Sequence, residues 1–85
     1  MAFGAGRSLP IFNTIGCGSF SYDLVVSTAY WGMRRYLILA DSPEIALGLV
    51  SNTICPINSW QQIRPDTIEI SFVGMETDVS LLYLS

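Results

Sequence analysis

Residues 66–85 constrain the fold more than any other stretch, because apolar and polar side chains alternate there in two successive runs. Ile68, Ile70 and Phe72 alternate with Thr67, Glu69 and Ser71, and Val79, Leu81 and Tyr83 alternate with Asp78 and Ser80. A period of two puts one set of side chains on one face of a strand, so the pattern predicts a β-hairpin turning through residues 73–78. Its second strand runs to the last residue, and a strand placed there has to be pinned by a neighbour.

Residues 22–40 read as a second hairpin. Residues 23–30 are rich in β-branched and aromatic types, Trp31, Gly32 and Met33 turn the chain, and residues 34–40 return. Leu37, Ile38 and Leu39 do not alternate, which suits a strand covered on both faces. A continuous helix over residues 23–39, with Gly32 as an interruption, is the competing reading. The next segment carries the best helix signal: Ser42 as cap with Pro43 at the first helical position, or Asp41 with Glu44 three residues on. That helix should end near Ser51 and Asn52, with Gly48 costing it about 1 kcal/mol relative to alanine. Its packing side should be Ile45, Leu49 and either Leu47 or Val50. Residues 52–65 read as a loop, because Pro56 and Pro65 disfavour helix at the residues before them and Asn58 and Ser59 favour turns. Trp60, inside that loop, either plugs the edge of the core or presents a contact surface.

Residues 1–21 combine Gly4, Gly6, Gly16 and Gly18 with Phe3, Leu9, Ile11, Phe12, Ile15 and Phe20. A true linker is polar throughout, so the segment reads as an extended arm lying on a neighbouring subunit, or as a flexible tail with one short edge strand around Ile11. The expected fold is therefore α+β and β-rich: an N-terminal arm over residues 1–21, then a domain over residues 22–85. In that domain two antiparallel hairpins form a small sheet or sandwich with one short helix.

Length and composition bear on partners. A chain of 85 residues, 51% hydrophobic and 13% charged, carries more apolar surface than so small a domain readily hides, and exposed apolar patches mark contacts. The cations are Arg7, Arg34, Arg35 and Arg64 against seven carboxylates, with no lysine or histidine and a formal charge of -3. Direct binding to nucleic acid needs a clustered cationic footprint, and anchoring to anionic lipid needs a polybasic segment; neither is expected here. Residues 45–50 are continuously apolar, but Asn52, Pro56, Asn58, Gln61 and Gln62 break the run well short of the roughly 20 residues of a membrane span. No secretory apolar region is apparent near Arg7, so the expected location is the cytoplasm or a virion. Cys17 and Cys55 lack metal-site spacing and are expected to be reduced thiols.

Catalytic chemistry finds little footing. The usual bases for a nucleophile are missing without histidine or lysine, and Cys17, between Gly16 and Gly18, has no partner to activate its thiolate. The acids Asp66, Glu69, Glu76 and Asp78 fall at turn and strand-start positions that carry solvated charge, and the glycine pairs lack the helix and lysine of a phosphate loop. No metal or cofactor is expected. Aromatic side chains next to arginines, Trp31 with Arg34 and Trp60 with Arg64, belong to the vocabulary of protein interfaces. The expected role is a non-enzymatic assembly subunit in a homo-oligomer or larger hetero-assembly of protein subunits, with contacts made by the N-terminal arm, by the terminal strand through strand addition and by aromatic side chains, at Phe3, Phe12, Phe20, Trp31, Arg34, Trp60, Arg64 and Tyr83. Small capsid, decoration and tail proteins of virions share this profile by analogy. The alternative role is a ligand-binding module that stacks sugars on Trp31, Trp60 and nearby tyrosines.

Overall fold

Among the described residues six strands and one helix follow one another as β1 (Ile11–Gly16), β2 (Phe20–Thr28), β3 (Gly32–Ala40), α1 (Pro43–Thr53), β4 (Ile57–Arg64), β5 (Thr67–Phe72) and β6 (Val79–Tyr83). They belong to a computed structural model that describes residues 9–84. The strands form one sheet in the order β1-β3-β2-β6-β5-β4. β1 runs parallel to β3, and every other neighbouring pair is antiparallel. The β-rich α+β class is thus a mixed six-stranded sheet with one helix packed on it.

Both hairpins read from the sequence are present, β2–β3 over nine register pairs and β5–β6 around Gly74. They join edge to edge through β2 and β6, which makes one sheet and not a sandwich. A third hairpin corrects the loop expected over residues 52–65: α1 continues to Thr53 and β4 then pairs with β5 across the turn at Pro65 and Asp66. The prolines mark boundaries as expected, but Asn58, Ser59, Gln61 and Gln62 are polar because β4 is an exposed edge, not because it lacks structure. Of the proposed arm, residues 11–16 form β1 on the other edge of the sheet and Phe20 opens β2. Phe3 lies outside the described residues.

Register sorts the side chains by face. Tyr22 pairs with Ile38, Leu24 with Tyr36 and Leu81, Ile68 with Leu81, and Ile70 with Val79, so these share an inner face. All are buried, in one cluster with Ala46, Leu47 and Val50 of α1. The helix therefore presents Ala46, Leu47 and Val50, while Ile45, expected to pack, is exposed and Leu49 is partly buried. Ala46 is small enough for the helix backbone to lie close to the sheet. Ser42 is the cap: its Oγ accepts from the Ile45 N–H at 3.2 Å, with Pro43 in the first turn. Leu49 reaches Gly16 at the end of β1, where φ is +87° and a Cβ would fall 2.3 Å from the Leu39 carbonyl oxygen.

On the outer face, β3 explains the run of Leu37 and Leu39, which are half-buried there while Ile38 is buried inside. Asp23, 2% exposed, accepts from Arg35 Nε at 2.7 Å, and Arg35 Nη1 donates to the Leu9 carbonyl at 3.2 Å. One guanidinium thus ties β2 to the chain entering β1. The terminal strand β6 lies between β2 and β5, so both of its edges are in use and it offers none for strand addition, contrary to the expectation.

Candidate functional site

The side chains predicted to make contacts fall into three places. At the β1–β3 edge, the Arg34 guanidinium lies 4.1 Å from the ring centres of both Phe12 and Trp31. Phe12 also meets Tyr36 edge-on at 5.7 Å. A cation between two π faces is held by the ring quadrupoles, so the predicted Trp31 and Arg34 pair exists with Phe12 as its second wall. This cluster is satisfied within the chain.

Beside the N-terminal end of α1, Phe20 and Tyr83 meet edge-on at 5.9 Å, and Tyr83 leans against Tyr22 at 5.5 Å. The register pair Tyr22 and Tyr83 places these rings side by side on β2 and β6. They wall a cavity of about 230 Å³ completed by the cap Ser42 and Pro43 of α1, Ile68 and Leu81 of the sheet, and the exposed Asp41, Gln62, Pro65 and Asp66. The Asp41 carboxylate accepts from the Ser19 N–H at 2.9 Å, and that of Asp66 accepts from the Thr67 hydroxyl at 2.9 Å. Burial pushes the Tyr22 hydroxyl above its ordinary pKa of 10.0, and the Tyr83 phenol and Glu44 carboxylate push it the same way. Sequence reasoning named Phe20 and Tyr83 but missed Tyr22, whose i, i+2 spacing from Phe20 was the available signal. Gln62 and Asp66 arrive only through the β4–β5 turn: Pro65 and Asp66 mark a turn locally, but nothing local shows the strand that precedes it.

The third place is β4. Seven of its eight residues are exposed, and Trp60 and Ile63 are 48% and 43% exposed. β5 occupies one side of the strand, and the other side is the end of the sheet. Trp60 borders a depression of about 320 Å³ with Gln61, Glu69 and Asp78. The acids therefore group as Glu69 with Asp78, and not in the sequence-neighbour pairs Asp66 with Glu69 and Glu76 with Asp78. Trp60 and Arg64 share β4, while Trp31 precedes β3 near the opposite edge, so the two tryptophans do not form a common platform.

Among the described residues no group of three histidine, cysteine or acidic side chains is placed to hold a metal ion, and no helix is long and apolar enough to cross a membrane. Cys17 and Cys55 are free thiols, Cys17 exposed and Cys55 donating weakly to the Val73 carbonyl. No protein-family model, curated protein or solved structure matches the chain.

Proposed function

We propose that this chain is a non-enzymatic building block of a larger protein assembly, and that its β4 edge pairs with a strand of another subunit, a second copy in the simplest case. The observation that carries this is the open side of β4. Strand edges of monomeric proteins are usually blunted by short length, lysine or an inward charge, proline, a β-bulge within the strand or a covering element. The chain has no lysine, and β4 has no internal proline and a single charge, Arg64 at its end. Irregularities at Ile57/Ser59 and Gln62/Arg64 bracket the strand, leaving residues 59–62 regular for pairing. Two copies related by a two-fold axis would join their edges antiparallel, each supplying the same patch. Main-chain hydrogen bonds would set register, and burial of Trp60 and Ile63 would contribute about 25 cal/mol per Å². Capsid, decoration and tail structures of virions are assemblies of this kind.

Light scattering on size-exclusion fractions tests the reading. At micromolar concentration the chain should run as a multiple of 9.4 kDa, and Ile63→Lys should shift it to the single-chain mass without altering its circular dichroism. A monodisperse single chain before any substitution overturns the proposal.

The depression beside Trp60 favours a second reading, a sugar-binding module, because it sets an aromatic face beside amide, hydroxyl and carboxylate groups. Saturable quenching of tryptophan fluorescence by glycans, lost in Trp60→Ala, would support that module over strand addition.

A further inference from the structure

We propose that the cavity between the N-terminal end of α1 and strands β2, β6 and β5 binds an organic cation, an alkylammonium or guanidinium group, in a box of Phe20, Tyr22 and Tyr83 with Asp41 and Asp66 at its mouth. Size is the first argument. At about 230 Å³ the cavity lies below the roughly 300–1,000 Å³ of sites for whole drug-sized ligands. It holds one side-chain-sized group.

Chemistry is the second. Phe20 and Tyr22 each lie against Tyr83, at 5.9 and 5.5 Å between ring centres, and all three line the cavity; aromatic rings attract cations within about 6 Å of their faces. The described residues that line the cavity include two carboxylates and no arginine, so a cation entering it meets no like charge from the wall. Glu44 adds to the negative field on Tyr22.

The helix terminus beside the cavity would ordinarily favour an anion through its free N–H groups. Here Pro43 has no N–H to offer, the Ile45 N–H is already bound to Ser42 Oγ, and Asp41 and Glu44 place negative charge on either side. The positive end of the helix is thus largely occupied and offset. A guanidinium or ammonium group of a partner protein and a free quaternary amine share the chemistry this box selects.

Saturation-transfer difference NMR on the full chain tests the site with choline, Nα-acetylargininamide, and their neutral counterparts 3,3-dimethylbutan-1-ol and Nα-acetylcitrullinamide. At least one cation should bind saturably and at least about fivefold more tightly than its neutral counterpart. Binding of arginine alone assigns the site to a protein side chain, and binding of choline alone to a free amine; both support the proposal. Asp66→Asn should weaken cation binding at least about threefold without changing the neutral compound, and Tyr83→Leu should weaken it further. If Tyr83→Leu unfolds, Asp66→Asn alone decides. Equal binding of charged and neutral compounds, no saturation for either cation, or no loss in Asp66→Asn would overturn the assignment. Repeating the titration on Ile63→Lys separates this site from the assembly reading, because that side chain does not line the cavity.

Discussion

β4 and β5 are hydrogen-bonded neighbours with three apolar residues each, yet β5 is almost wholly buried and β4 almost wholly exposed. Their spacing explains the contrast. Ile68, Ile70 and Phe72 recur every two residues and build one continuous apolar face, buried in one cluster with Ala46, Leu47 and Val50 of the helix. Ile57, Trp60 and Ile63 recur every three; the irregularity at Ile57/Ser59 sets Ile57 and Trp60 opposite Phe72 and Ile70, but Gln62 follows opposite Ile68 and breaks the apolar row. β5 has a partner on both edges, and β4 on one. Two strands of similar chemistry thus serve different ends: β5 holds the molecule together, and β4 presents surface.

The widest gap between the strands should appear in stability. Phe72→Ala removes a ring 2% exposed and should cost about 3–5 kcal/mol in urea unfolding, while Trp60→Ala should cost under about 1 kcal/mol and lower association instead. Similar losses from both would break the comparison. A smaller effect should follow from the outer face that β2 shares with the sheet. Asp23→Ala takes the carboxylate from the Arg35 guanidinium and leaves its bond to the Leu9 carbonyl; full burial would make this worth about 3–5 kcal/mol, but the Arg35 side chain is 21% exposed and can rehydrate, so about 2–3 kcal/mol is expected in the same assay. Little loss would show that the pair adds no net stability. The smallest effect concerns Tyr22, on the inner face with β5. Its pKa is raised in the folded chain by burial and by Tyr83 and Glu44, so above about pH 10 the unfolded chain releases a proton that the folded chain keeps. Stability should be unaffected below that pH and decline as pH rises through it. Tyr22→Phe should flatten that alkaline slope, and an unchanged slope would move its cause elsewhere.

Legibility followed the same contrast. β2, β3, β5 and β6 were readable because they alternate or carry β-branched runs, and α1 because Ser42 and Pro43 mark its start. β4 was hidden because an edge strand exposed at seven of its eight residues, with amide and hydroxyl side chains, has the composition of a loop. β1 was half-visible: Ile11 suggested an edge strand, but no local signal shows a parallel partner in β3, a pairing set by distant residues. The site divided likewise. Phe20, Tyr83, Phe12, Trp31 and Arg34 stood out by type, while Tyr22, Asp41, Gln62 and Asp66 became a site only where five elements meet.

Side-chain periodicity and capping chemistry, written locally, determined which residues extend, where the helix begins and that the whole is β-rich. Strand order was left to the tertiary structure. Only packing placed the last strand at the centre of the sheet and left β4 open, because the order of strands depends on which faces bury together, and that free energy belongs to contacts between residues far apart in the chain.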